Sequence, residues 1–287
     1  MGLFLQTVNK KTKNTEMSAT LFFKDGAAIA KALMSHDPIS TTVLFSFRPH
    51  VLYVQGIHPT NRDTFCLGFF DAHIDIASAF QDPADDLDIV VLQNSNALEL
   101  KEFWKQKEIS LEVCADVKRG VRLTFGHNAP VWFSPPPSSC VPCVFFPPEK
   151  VLDQLNCNSS APGSVLIQMP SAEFQHIIKD FAIVGSHLEI AFDPSEPDTV
   201  VFRSKGENCD GDLTCCHDPD SKLHIKANNV EAPFMCDFVI NLIKMTAKGI
   251  CNSERDIILT LSKDAPLMLN HGTTCENNLF ILFAQSQ

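Results

Sequence analysis

The sequence predicts the same succession of structural elements twice. In each half a strand leads into a short helix, further strands follow, and a second helix with a pair of lysines precedes a hairpin. The first helices begin near residues 27 and 171 and the hairpins near residues 109 and 257, so the offsets are 144 and 148. A shared order at a near-constant offset indicates an internal duplication. The chain is therefore predicted to be an α+β protein of two duplicated domains, each with helices packed on one face of an antiparallel sheet.

The clearest single element is the first helix of the second half. Pro170 and the serine after it, with Glu173 in the first turn, form a favoured helix start, and Gly185 is predicted to end the helix. His176 and Lys179 fall on its polar side. The apolar side is formed by residues at spacings of three and four: Phe174, Ile177, Ile178 and Phe181.

The repeat also divides the chain. Residues 1–17 are predicted to be a flexible N-terminal extension, and residues 18–145 the first domain. Residues 146–163, FPPEKVLDQLNCNSSAPG, form a polar connector with a short apolar motif, and residues 164–287 form the second domain.

Two further predictions concern the second domain. A helix is predicted from about Pro233 to Lys248, and the residues predicted to form its buried side are Phe234, Phe238, Leu242 and Met245. Residues 206–220, rich in Cys and Asp, are predicted to be a turn region.

The charge of the chain limits its partners. The formal net charge of −11 excludes a basic surface over the whole molecule, so binding to a polyanion requires local clustering of the 23 Lys and Arg residues. No apolar run approaches the length of about 18 residues that crosses a bilayer, so no membrane association is predicted. Eleven cysteines without regular spacing favour a reducing compartment, the cytosol or nucleus.

The predicted helices leave mainly basic residues exposed and few acidic ones. If these helices share one side of the molecule, that side is a positive lining on a negative body, suited to DNA phosphates without base readout. The alternative is that the lysines only solvate helix surfaces. The candidate residues are Lys31, with His36 beside it, Lys101, Lys105, His176, Lys179, Lys244 and Lys248.

No enzymatic constellation is found in the sequence. A phosphate-binding glycine loop, a nucleophile elbow and a His-Glu-x-x-His motif are all absent, and no cofactor is predicted. Cys140 and Cys143 have metal-ligand spacing, but Pro142 and the lack of a second regular pair favour ordinary reduced cysteines over zinc. The residues that would complete a zinc site are Cys209, Cys215, Cys216 and His217.

Several segments resemble the eukaryotic and viral sliding clamps of the proliferating-cell nuclear antigen family. MPSAEFQHIIKDF resembles the start of that family's second domain. DIILTLSKDAPLMLNH is similar to its TLSxDxPL hairpin, and NLFILFA to its last strand. In the first half, ATLFFKDGAAIAKAL and VLFSFRPHVLYVQGIHPTNRDTFCLGFF resemble the opening strand, helix and following strands more loosely.

The resemblance implies a non-enzymatic subunit that closes head to tail into a ring, a trimer, whose helices face double-stranded DNA. The lysines named above would then line a channel, with His176 a weaker candidate because it is mostly neutral at pH 7. The implied partners are DNA polymerase, other clamp-binding replication proteins and a clamp loader. The implied location is the nucleus, or for a viral protein the host nucleus or a cytoplasmic replication site.

The connector resembles the segment beside which client proteins of that family dock. By position, Leu155 and Cys157 match its apolar pair, and Phe283 and Ala284 match the strand end that helps to form the client pocket. The alternative for Leu155 is that it only pins the connector down.

The chain also departs from the family pattern. It has an N-terminal extension, a longer Pro-rich insert at residues 130–148, and an end that reads Ala-Gln-Ser-Gln in place of an acidic tail. These features fit a diverged, viral clamp. Two alternatives stay open: a subunit of the heterotrimeric checkpoint clamp, and a viral processivity factor that does not close a ring.

Overall fold

The computed structural model has helices and antiparallel strands in both halves of the chain. It describes residues 18–23, 26–48, 51–59, 64–71, 87–92, 100–103, 109–116, 118–137, 145–147, 150–151, 153–155, 161–218, 222–250, 256–272, 277–283 and 285. The predicted N-terminal extension, residues 1–17, lies outside this part of the chain.

The first half contains one described helix and eight described strands. In chain order they are β1 (Ser18–Phe23), α1 (Gly26–His36), β2 (Thr42–Arg48), β3 (Val51–Ile57), β4 (Phe65–Asp71), β5 (Leu87–Leu92), β6 (Leu111–Asp116), β7 (Gly120–Phe125) and β8 (Val131–Phe133).

The second half contains two described helices and nine described strands. They are β9 (Ser164–Pro170), α2 (Ser171–Val184), β10 (His187–Phe192), β11 (Thr199–Lys205), β12 (Asp210–Cys216), β13 (His224–Asn228), β14 (Phe234–Val239), α3 (Ile240–Ile250), β15 (Asp256–Ser262), β16 (Leu267–Gly272) and β17 (Asn277–Phe283).

The strands form three sheets whose described pairs are antiparallel. Two four-stranded sheets have the orders β1-β6-β7-β8 and β12-β11-β10-β14. A nine-stranded sheet, β13-β9-β15-β16-β17-β4-β3-β2-β5, joins the two halves through the pairing of β17 with β4. The predicted α+β class is confirmed.

Strand pairing repeats between the halves. The sheet β1-β6-β7-β8 has the same connectivity as β9-β15-β16-β17, and β5-β2-β3-β4 has the same connectivity as β14-β10-β11-β12. Strand β13 has no counterpart among the described strands of the first half. The predicted duplication is therefore present in the topology.

Helix α2 has the predicted bounds. Its buried side includes Phe174 and Phe181, and the amide of Gly185 donates to the carbonyl of Phe181 as the helix ends. Gly185 has an extended backbone, which any residue can adopt. A glycine is needed here because a Cβ would lie 2.3 Å from the carbonyl oxygen of Lys205.

Two predictions for the second half were wrong. Residues 234–239 form strand β14, and the helix begins only at Ile240. Phe234, Cys236 and Phe238, at every second position, are buried as in a strand. Residues four apart lie on the same side of both a strand and a helix, so the spacing of Phe234 and Phe238 does not distinguish the two. The turn region at residues 206–220 contains β12, an edge strand with mostly exposed side chains and hence no apolar alternation.

The three described helices form one layer. Helix α3 contacts both α1 and α2, and all three contact strands. The layer thus spans both halves of the chain, and one face of the large sheet packs against it.

His36, at the end of α1, is fully buried and not on an exposed basic face as predicted. Its Nδ1 contacts the carbonyl oxygen of Ala32 at 2.5 Å and its Nε2 contacts that of Val54 at 2.9 Å. Burial lowers the pKa of His36 from its ordinary 6.5, although these carbonyls act in the opposite direction.

The buried imidazole predicts a loss of stability in acid. Below pH 6.5 the unfolded chain binds a proton that the folded protein resists, so the free energy of unfolding falls as the pH drops, by at most about 1.4 kcal/mol per pH unit. Urea unfolding at a series of pH values should show a smaller dependence for His36→Gln than for the wild type. Equal dependence in the two proteins would assign the effect to other groups.

Candidate functional site

The exposed face of α2 carries the predicted basic residues. His176 and Lys179 are exposed, and Lys179 Nζ lies 3.4 Å from Gln175 Oε1 on the same helix. Their exposure follows from the helical repeat, since Phe174 and Ile178 occupy the opposite side.

Helices α1 and α3 present fewer basic side chains. Lys31 is half-buried and is the only lysine of α1, whose other residues are mostly buried. Lys244 of α3 is half-buried. Met245 beside it is 52% exposed, so the prediction that it lies on the buried side of the helix was wrong. Lys248 is in α3, but its side chain lies outside the described part.

Lys101 follows the helical residue Leu100 and is exposed, whereas Lys105 lies outside the described residues. Burial raises the pKa of Asp37, and the positive charge of Lys101 acts to lower it. Lys101 therefore interacts with the end of α1 and is not a charge available to phosphates alone.

Acidic residues interrupt the basic face more than the sequence pattern suggested. Glu173 and Asp180 are both exposed on α2. At about 100° per residue, Lys179 and Asp180 lie on opposite sides of His176 around the helix axis. Glu173 lies on the same side as Asp180, so the acidic residues occupy one edge of this face and Lys179 the other. The charge of Glu173 also raises the pKa of Cys215 of β12.

Leu155 of the connector is buried in a cluster on the other face of the large sheet. We call this the outer-face cluster; the helices pack on the inner face. Leu52 and Val54 of β3 point into the main core, whereas Tyr53 and Ile57 point outward. The buried residues of the outer-face cluster are Tyr53, Ile57, Phe65, Leu67, Val151, Leu155 and Met268, with Val51, Phe145 and Phe146 partly buried against them.

Phe283 does not join Leu155. Its side chain is 2% exposed and lies in the main core with Ile281, on the inner face of β17. Cys157 and Ala284 lie outside the described residues. The two predicted halves of a client pocket are therefore not brought together by Leu155 and Phe283.

Sequence reasoning missed most of the outer-face cluster. The available signal was in β3, where apolar residues occupy both alternating sets of positions, as expected for a strand covered on both faces.

Polar side chains lie in the same part of the sheet. The amide oxygen of Gln55, a fully buried residue, accepts a hydrogen bond from the Phe146 amide at 3.0 Å, and its Nε2 has no partner. Asn270 Oδ1 and Thr260 Oγ1 are buried without partners too.

The described residues that were considered as possible zinc ligands do not form a metal-binding group. Cys215 is buried whereas Cys209 and Cys216 are exposed, and burial, with the charges of Glu173 and Cys216, raises the pKa of Cys215 to about 11. No group of His, Cys, Asp and Glu residues within the described ranges could hold a metal ion. Cys140 and Cys143 lie outside those ranges.

No helix among the described residues is long and apolar enough to span a membrane.

Comparison with known proteins matches the second half to one family. Residues 162–285 match the family model for the C-terminal domain of proliferating cell nuclear antigen (PCNA). A search of curated protein sequences gives no significant match.

The fold is similar to solved PCNA structures over nearly the whole chain. PCNA from Thermococcus kodakaraensis has a TM-score of 0.70 at 11% identity, with 93% of this chain and 99% of that chain covered. PCNA from Entamoeba histolytica has a TM-score of 0.66 at 17% identity, with 94% and 99% covered. The PCNA2-PCNA3 complex from Sulfolobus tokodaii has a TM-score of 0.69 at 12% identity, with 93% and 98% covered.

Proposed function

Because this chain has a PCNA-like sliding-clamp fold, we propose that it encircles duplex DNA as a ring and tethers a DNA polymerase and other replication proteins to it. The observation that carries the proposal is the layer of three helices that spans both duplicated halves and carries the exposed Lys179 and the half-buried Lys31 and Lys244. A clamp of this kind needs no catalytic residues of its own.

DNA contact would be made by a small number of lysines. Lys179 of α2 is exposed, and Lys31 of α1 and Lys244 of α3 are half-buried on the same layer. Lys101 is exposed outside the three helices. Lys105, Lys248 and His176 complete the proposed set. Contacts to phosphates alone are independent of base sequence and sensitive to salt, which permits sliding.

The internal repeat supplies a geometry for ring closure. Within one chain β17 pairs with β4, from Asn277 opposite Phe70 to Leu282 opposite Phe65. By the repeat, β8 is the counterpart of β17 and β12 is the counterpart of β4. The outer edges of β8 and β12 carry no strand in the described chain, so β8 of one copy can pair with β12 of the next.

One of these two edges is short. Strand β8 has three residues and is followed by Ser134 and prolines at residues 135–137, which cannot donate backbone hydrogen bonds. This feature favours the alternative of a processivity factor that does not close a stable ring.

The other proposals follow from the clamp function. The ring is a homotrimer placed on DNA by a clamp loader, in the nucleus or at a viral replication site. A subunit of a heterotrimeric checkpoint clamp would have the same fold but would need two different partner chains.

A threading experiment tests encirclement directly. We expect the protein to bind linear duplex DNA with free ends and to lose that binding when both ends are blocked by biotin and streptavidin, because a closed ring must pass over an end. Light scattering at tens of micromolar should give the mass of three chains. Equal binding to open and blocked DNA would contradict encirclement, and a purely monomeric protein would indicate a non-ring factor or a heterotrimer subunit.

A further inference from the structure

We propose that protonation of His176 sets the affinity of this protein for duplex DNA, so that binding is tight in mild acid and weakens as the pH rises. The inference rests on the proposed function, because it requires that DNA meets the layer of three helices. It adds a pH dependence that lysines alone would not give, since lysine stays charged throughout the range in which histidine gains and loses its proton.

His176 points more directly away from the sheets than the other ionisable residues of α2 do. The buried side of this helix is centred on Phe174. At about 100° per residue, His176 lies about 160° from that centre around the helix axis. The corresponding angles are about 140° for Lys179, about 120° for Asp180 and about 100° for Glu173. A duplex that approaches α2 from the solvent side therefore meets the imidazole first.

The proton on His176 decides whether the exposed face of α2 is negative or neutral. Without that proton the face has one lysine, Lys179, against the two carboxylates of Glu173 and Asp180, which leaves a net charge of −1. Ile183, which is 84% exposed and lies seven residues after His176 on nearly the same line, adds no charge. The unprotonated face repels DNA phosphates, and the protonated face does not.

The elements that pack against α2 are α3, β9, β11 and β12. Helix α3 adds Lys244, which is half-buried, and Lys248, whose side chain lies outside the described part. Strand β9 has no ionisable side chain. Strand β12 approaches the buried side of the helix, since Gly211 lies next to Phe181. The ionisable residues of β11 and β12 are Arg203, Lys205, Asp210, Asp212, Cys215 and Cys216.

DNA binding and proton binding are then coupled in both directions. If the protonated protein binds DNA more tightly, the complex takes up protons as it forms. The logarithm of the affinity should fall with rising pH by at most about one unit per pH unit for each coupled histidine. The slope of log affinity against log salt should also be steeper in acid, by about 0.9 for each imidazolium that contacts a phosphate.

Fluorescence anisotropy with a labelled duplex at about 100 mM salt tests this coupling. We expect the wild type to bind at least about fivefold more tightly at about pH 6.0 than at about pH 7.5. His176→Gln should bind weakly at both pH values, because a neutral amide replaces the imidazole. His176→Lys should bind tightly at both, because its charge is permanent. Both variants should therefore lose the pH dependence.

Two matched variants control for other titrating groups. His187→Gln removes an exposed histidine of β10 whose Nδ1 lies 2.8 Å from Asp237 Oδ2, and it should keep the wild-type pH dependence. Lys179→Gln should bind more weakly at both pH values and keep the ratio between them. The buried His36 is present in every variant, so its effect on stability is common to all. A wild type with equal affinity at the two pH values, or an unchanged ratio in His176→Gln, would overturn the proposal.

The threading experiment separates this inference from the proposed function. If the wild type threads onto open DNA but shows no pH dependence, only the role of His176 is overturned. If open and blocked DNA are bound equally, with a pH dependence that His176→Gln removes, only encirclement is overturned. Absence of DNA binding at both pH values would overturn both.

Discussion

Reversing the charge of Lys179 and Lys244 together is expected to weaken binding to duplex DNA on the order of a hundredfold at about 50 mM salt. Lys179 is exposed on α2 and Lys244 is half-buried on α3, and the two helices are in contact. Because acidic residues already interrupt this face, two glutamates would make it predominantly negative. The slope of log affinity against log salt should become shallower by about 0.9 for each DNA phosphate that the variant no longer neutralises.

Fluorescence anisotropy with a short labelled duplex measures both quantities. The matched control is Lys226→Glu/Lys263→Glu, which has the same charge change. Lys226 lies on β13 opposite the side of the buried Ile225, and Lys263 lies in the turn between β15 and β16. If the control weakens binding as much as the test variant, the effect comes from net charge and the helix face is not the DNA-binding surface.

Leu213→Asp is expected to reduce the mass of the assembly to about one third while the subunit stays folded. Gly68 of β4 approaches Ala32 of α1, and Gly211 of β12 approaches Phe181 of α2, which aligns the two strands. Two residues further, Phe70 is 1% exposed in the main core, on a strand whose edge pairs with β17. Leu213 is 39% exposed on an edge that no described strand covers. A carboxylate at Leu213 would be buried by the neighbouring copy, which is unfavourable.

Light scattering measures the mass of the assembly, and circular dichroism measures whether the subunit stays folded. Val239→Asp is the control, because Val239 is 46% exposed on β14, the opposite edge strand of the same sheet. We expect Val239→Asp to retain the wild-type mass. If Leu213→Asp also retains it, the ring does not close through β12.

The sequence predicted the elements whose burial pattern is local. Phe174, Ile177, Ile178 and Phe181 define one side of α2 without reference to any other part of the chain, and both bounds of the helix were confirmed. The duplication was also detectable, because the order and spacing of elements survive when residue identity does not.

Features that depend on tertiary contacts could not be read in the same way. His36 is polar and near a helix end, but α1 packs between a sheet and α3, so even this residue is enclosed. The core position of Phe283 could be predicted only by knowing which face of β17 meets the core. A shift of the strand register by one position places the side chain on the opposite face. The outer-face cluster depends on a connector that returns to the sheet from a distant point in the sequence.

The nine-stranded sheet has a mechanical consequence. Six consecutive residue pairs between β17 and β4 cross the junction of the two halves, so rotation of one half against the other would break a continuous hydrogen-bond ladder. The corresponding contact between copies would have only the three residues of β8 on one side. We therefore expect each subunit to move as a stiff arc and the gate that admits DNA to be the seam between subunits, where the fewest hydrogen bonds must separate.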